Sequence, residues 1–248
     1  MKKLLFLIAA VWMISITAEA QKGKEVILGV NGALTNVWVI NQNFYGEPQI
    51  DYAPKMGYTA GINLGYDING NAGIMAEVHY SLQGQKYDGK QNGIKTERNI
   101  DLRYMNIPLF FKYAFGQDQT RFRVMIGPQM GILMDASQEY LWNDQVKQTK
   151  VNDLNGVPFQ TGAKNIKDRF EKIDFGIAID IGTDINLSKV FFVTAGIRGN
   201  YGFKDINAEP YRLENLDGEY NPSHNLWGGL YFGINYRIDV EGYTQRSF

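Results

Sequence analysis

Two histidines and a scatter of carboxylates set the limits of what chemistry this chain can do. Glu77, His79 and Ser81 stand at alternate positions, so an extended strand points all three to one face. A carboxylate, an imidazole and a hydroxyl are the parts of a hydrolytic triad. Two residues along a strand, however, put about 6.8 Å between side chains, too far for a Ser–His hydrogen bond unless favourable rotamers close the gap. A satisfied polar cluster is the expected state of these three. His224, near Asp217 and Glu219, has the makings of an Asp–His pair, but loop acids of this kind are common. Asp135, Glu139, Asp144 and Asp153 lack the one-three-five spacing of a calcium loop. The chain has no cysteine, which excludes disulfides, thiolate metal sites and cysteine nucleophiles. Gly61-x-x-x-Gly65 and Gly127-x-x-x-Gly131 fall on strands, where they make room for large inward side chains rather than cradle a phosphate. The expectation is a protein that is not an enzyme, with no catalytic set, no metal and no cofactor. A hydrolase built on Glu77, His79 and Ser81 is the enzymatic alternative.

The elements that carry these residues are strands. Eight segments alternate apolar and polar residues with period two, at about 25–35, 57–68, 72–83, 98–115, 121–135, 171–186, 190–203 and 226–238. The fourth shifts phase once, which predicts a β-bulge near Met105-Asn106. The connections at Asn69-Gly70-Asn71, Gly116 to Thr120 and Leu187-Ser188-Lys189 are short turns, while 37–56, 84–97, 136–170 and 204–225 are long loops. Short turns at one end, long loops at the other and an even strand count predict an all-β, antiparallel, up-and-down transmembrane barrel. Residues 1–20 read as a signal peptide: Lys2 and Lys3, the apolar run Leu4 to Ile16, then cleavage after Ala20. Residues 21–248 form the barrel domain, placed integrally in the outer membrane.

A soluble eight-stranded barrel is the competing architecture. The polar face argues against it, because charges crowd there among glycines, as in a narrow ion-paired interior. The predicted lumen network is Asp67, Glu77, His79, Arg103, Lys112, Arg123, Asp180, Arg198 and Arg237, with Asp135, Asp174, Asp184 and Arg121 on the same face. Glu77 is the expected mid-barrel acid, with Arg103, Arg123 or Lys112 as its partner. The greasy face carries Tyr58, Tyr66, Tyr80, Tyr113, Phe115, Tyr201, Phe203 and Tyr236 near segment ends, as interfacial aromatic girdles do.

The stretch Tyr104-Met105-Asn106-Ile107-Pro108-Leu109-Phe110-Phe111-Lys112-Tyr113 resembles the outer-membrane β-barrel family of Bacteroidota that includes the PorT-like, porin-labelled proteins. Asp174-Phe175-Gly176, followed by Gly182, is a second point of likeness, and the resemblance spans the whole mature chain. It implies an outer-membrane barrel. The namesake's part in secreting cargo is not carried over, since no residue here singles out that subgroup.

Eight strands enclose an interior just wide enough to be filled by side chains, so general porin activity is not expected, and a narrow porin-like channel is the alternative. With 25 basic and 26 acidic residues and a net charge of -1, the chain has no footprint for nucleic acid. The expected partners are outer-membrane lipid and lipopolysaccharide, the barrel-insertion machinery during biogenesis, and an unidentified protein at the loops. For the insertion machinery, Phe232, Tyr236 or Phe248 is the candidate terminal signal. Tyr140, Trp142 and Phe159 are the candidate interaction residues of the third loop, because loops on a rigid scaffold are where binding resides.

Overall fold

The computed structural model describes residues 24–40, 50–69, 71–91, 93–117, 119–146, 149–152, 158–161, 164–212, 214 and 218–240. The predicted signal peptide and Phe248 lie outside the described residues. Eight long strands make the wall: β1 (Glu25–Ile40), β2 (Lys55–Asp67), β3 (Ala72–Gln91), β4 (Ile94–Gln117), β5 (Thr120–Trp142), β6 (Ile173–Asn186), β7 (Phe191–Gly202) and β8 (His224–Asp239). Each pairs antiparallel with its sequence neighbours, and β8 returns to β1 from Glu25↔Asp239 to Ile40↔His224, so the sheet closes on itself. Closure leaves no edge along the wall.

The short turns are tied by their own side chains. Asn69 Oδ1 accepts from the backbone N–H of Asn71 and Ala72 at 3.2 and 2.8 Å. Ser188 Oγ accepts from Val190 and Phe191 at 3.3 and 3.0 Å. Such bonds mimic a backbone turn and let strands reverse in few residues.

The wall's outer face is the apolar one. Leu34, Ile62, Ile181 and Ile197 are each at least 60% exposed, and they belong to a continuous band around the barrel. An apolar surface of that extent is stable against lipid rather than water.

Four strands run further than their alternation predicts, among them β1, which takes residues 37–40 from the expected loop 37–56 and pairs them with β8 as far as Ile40↔His224. The expected loop 84–97 is instead the continuation of β3 and β4, paired as far as Gln91↔Ile94, and β5 runs on to Trp142. In the extension the buried inward residues include polar Gln85, Thr96 and Arg98 beside Tyr87, so the apolar–polar alternation fades while the ladder continues. Gly84 sits in this extension at φ 124°, a conformation that side chains resist, and a Cβ there would meet the Ile100 carbonyl.

The bulge also sits elsewhere than predicted. Pairing slips between Arg103↔Asp135 and Tyr104↔Leu133, which makes Met134 of β5 the extra residue. Met125, Gln129 and Leu133 point inward below it, and Ala136, Gln138 and Tyr140 above. β4 keeps a single phase, with Ile100, Leu102, Tyr104, Asn106, Phe110 and Lys112 all buried inside. The apolar residues of upper β4 do not face lipid. They join Val39, Tyr87, Leu133, Ala136, Ile166, Phe170 and Ile206 in a cluster within the long-loop end of the lumen.

Candidate functional site

The lumen is the first place to look for chemistry, and it holds a cross-strand lattice of ion pairs. Glu77 on β3 is 1% exposed and takes a two-pronged contact from Arg198 on β7, at 2.5 and 3.2 Å. Arg198 Nε donates to Asp180 on β6 at 2.9 Å, and the other oxygen of Asp180 accepts from Arg123 on β5 at 2.6 Å. Arg123 reaches on to Asp184 and to Thr194 Oγ1, at 3.1 and 3.2 Å. An amide chain, Asn31 to Asn63 to Asn235, ends on the same Thr194 hydroxyl. Tyr231 packs against both guanidiniums, its ring centre 3.8 Å from Arg198 and 5.5 Å from Arg123. Each charge is thus desolvated yet bonded on several sides, the condition under which buried ions are tolerated.

The partner of Glu77 differs from the expectation. It is Arg198, with His79 Nε2 also 3.0 Å from the carboxylate, and not Arg103, Arg123 or Lys112. Strands β3 and β7 lie on opposite sides of the ring, and in so narrow a barrel an arginine spans the lumen. Adjacency along the sheet is then a poor guide to contact.

Of the other predicted network residues, Lys112 pairs with Asp67 at 2.9 Å, both buried. Arg237 donates to Asn186 at 3.0 Å and stacks 4.6 Å from the Phe192 ring centre. Arg103 does not belong to the lumen. The bulge on β5 and the unbroken phase of β4 turn Arg103 and Asp135 together onto the outer face, where they pair at 2.5 Å with Asp101 alongside. Lys55, read as part of a loop, reaches Asp101 at 2.5 Å and also donates to Asn99.

The triad's three members do share a face, but Ser81 and His79 are not bonded to each other. His79 turns to Glu77, and Ser81 Oγ accepts from Gln83 Nε2 at 3.1 Å. Gly61 opposite leaves the space the imidazole occupies, since a Cβ there would strike its ring. Serine and histidine therefore do not form a nucleophile–base pair, and all three residues are sealed from solvent.

The seal at the long-loop end is a folded cap. Backbone bonds join Ile166 to Ala136, Glu171 to Ile206, Ala208 to Arg169 and Ile206 to Ser223, at 2.8–2.9 Å. Asp205 is its hub, accepting from Ser223 N, Asn207 N and Tyr220 Oη and forming an ion pair with Arg212 at 2.9 Å. Burial, then the bond to Asp205, raises the Tyr220 phenol well above the ordinary tyrosine range. Beyond the cap, the β3–β4 hairpin carries Lys86 and Lys95 against Glu97 at 3.0 and 2.8 Å, and Lys95 against Asp144 at 3.1 Å. The bond from Lys95, then that from Lys86, holds the Glu97 carboxyl below its usual range.

The three loop candidates separate. Tyr140 is 4% exposed and belongs to the inner face of β5, because the bulge has switched parity below it. Trp142 ends β5 and lines a cleft with Lys90, Gly93, Ile94, Lys95, Asn143 and Gln145. Phe159 lies on the short strand Pro158–Thr161, paired with Thr149–Asn152; its side chain is outside the described residues. No group of three or more metal-ligating side chains occurs among the described residues.

The sequence profile described as "Outer membrane protein beta-barrel domain" matches residues 19–208. Among solved structures, the chain is similar to Neisserial surface protein A at 14% identity, over 88% of this chain and 100% of that one, with a TM-score of 0.43. It is similar to outer membrane protein OprG of Pseudomonas aeruginosa at 9% identity, over 89% and 98%, with a TM-score of 0.44. The outer membrane protease OmpT of Escherichia coli aligns at 10% identity, over 90% and 100%, with a TM-score of 0.43. No match was found among curated proteins.

Proposed function

Because the chain belongs to the outer membrane protein beta-barrel domain family and its barrel resides in the outer membrane, we propose that it is a non-enzymatic barrel with a filled lumen. It works as a structural or accessory protein through what it raises above the outer leaflet. The observation that carries this reading is the Glu77–Arg198 pair spanning the lumen beneath an apolar cluster and a folded cap. A solute would have to break desolvated ion pairs to pass, and among the described residues Ser81 is held by Gln83 while His79 is turned to Glu77.

The resemblance of Tyr104 to Tyr113 supports grouping the protein with the PorT-like barrels of Bacteroidota. Its surroundings are outer-membrane lipid and lipopolysaccharide, with the insertion machinery met during assembly and a partner engaged at the loops. Secretory cleavage after Ala20 is the route of export.

Two measurements test the reading together. Proteoliposomes holding the refolded protein should not swell in isotonic sugar, and lipid A in isolated membranes should stay fully acylated for wild type and His79→Ala alike. Swelling would replace the reading with a pore. Deacylation that His79→Ala abolishes would replace it with an enzyme.

A further inference from the structure

The β3–β4 hairpin breaks a local rule at its tip. Lys90 and Lys95 are direct cross-strand partners, both exposed, so two ammoniums project side by side from one face. Like charges placed opposite each other in a ladder oppose its formation. Lys95 is relieved by Glu97 and Asp144. No hydrogen bond or ion pair engages Lys90 among the described residues. Departures from local consistency without a structural return concentrate at functional sites.

What surrounds the pair is a cleft of about 470 Å³, within the range of small-ligand sites. Its floor and walls are Lys90, Lys95, Ile94, Trp142, Asn143 and Gln145. The frame is tied rather than loose. Asn143 and Asp144 both adopt left-handed φ angles, 53° and 60°, in the tight turn after β5, and Asn143 N donates to the Lys95 carbonyl at 2.8 Å. Asparagine and aspartate are the non-glycine residues that accept this conformation most readily. A frame held by backbone bonds loses little freedom when it takes up a ligand.

We propose that this cleft binds an acidic saccharide, a pyranose bearing a carboxylate. Each part of such a ligand meets its match. The apolar faces of a sugar ring suit an indole, whose N–H is also a polar handle. Ring hydroxyls suit the amides of Asn143 and Gln145, which both donate and accept. The carboxylate takes the charge-assisted bond that Lys90 has left unmade. A bare inorganic anion would use only the last of these. The seven steps from Gln83 to Lys90 also carry the tip roughly 23 Å further along β3, well above the acyl chains, which favours a free or glycan-borne sugar over a lipid-held group. The site rests on the reading that the protein acts through its extracellular structures, and it gives that action a ligand class.

Isothermal titration of the refolded full chain in detergent, free of lipopolysaccharide, tests it with trigalacturonate, neutral maltotriose and sodium sulfate. Trigalacturonate should bind, maltotriose and sulfate should not, and raising the salt should weaken the affinity. Lys90→Gln and Trp142→Ala should each weaken it by about tenfold. Both variants should keep wild-type heat-modifiable mobility, since both residues stand at the far ends of their strands, above the apolar band. No binding of trigalacturonate, equal affinity in either variant, or competition by sulfate at equal strength would overturn the proposal. Those outcomes leave swelling and deacylation unchanged, so a failed saccharide site is told apart from a failed reading of the lumen.

Discussion

Arg198 is the residue on which the interior turns. It holds Glu77 with two nitrogens and Asp180 with a third, and packs over the rings of Tyr231 and Phe110. Glu77 is less exclusive. Without it, Arg198 keeps Asp180 and both rings. The expected order is therefore Arg198→Ala worse than Glu77→Ala, because the arginine leaves two buried carboxylates short of a partner. Breaking one partner of a buried pair costs about 3–5 kcal/mol, and Glu77→Ala belongs at the lower end of that range. Urea unfolding in lipid vesicles, read by gel mobility, checks the order, and a reversed ranking would show that Arg198 is not the hub. Glu77 was legible as a mid-barrel acid from parity alone. Its partner was not, since period two fixes a side chain's face but says nothing about what stands across a closed lumen.

At the level of elements, the same parity reading failed where its premise failed. Period-two alternation alone assigns apolar Ile100, Leu102 and Tyr104 to the lipid side, which puts the bulge on β4 and Arg103 in the lumen. They are apolar because the lumen at that height is apolar, filled by Phe170 and Ile206 from the cap. The register slip at Met134 gives a sharp test. Met134 has no partner in the ladder, so deleting it closes the bulge with Ala136, Gln138 and Tyr140 still inward; the variant should keep heat-modifiable folding, and its loss would contradict the register. The cap can be followed separately through Tyr220, whose phenol donates to Asp205 Oδ2 at 2.6 Å. A folded-state pKa raised above the unfolded value of about 10 adds stability that is fully present below that pH. It is lost as the pH rises through the folded value. The ring-carbon NMR signal of Tyr220 should titrate late, and Asp205→Asn should bring it down only in part because burial remains. A Tyr220 that titrates at the ordinary value in the wild type would mean the cap is open.

At the scale of the whole molecule, strand count and the placement of short and long connections sufficed for the barrel, because closure, alternation and turn length constrain one another. What fills the barrel was only half legible. The charged layer announced itself through inward Arg, Asp and Glu, whereas the cap is built from loop residues such as Ile166, Phe170 and Ile206 with no periodicity to mark them. The two layers lie in series, and that arrangement decides permeability. Removing one leaves the other in place, so neither Glu77→Ala nor Phe170→Ala should open a path. In planar bilayers, wild type and both single variants should give no stable current. The variant carrying both changes should show at most brief openings, since the buried pairs Lys112–Asp67 and Arg123–Asp184 still occupy the lower lumen. A large, steady conductance from the wild type would mean that the ion pairs part in a lipid bilayer, and the barrel would then be a channel.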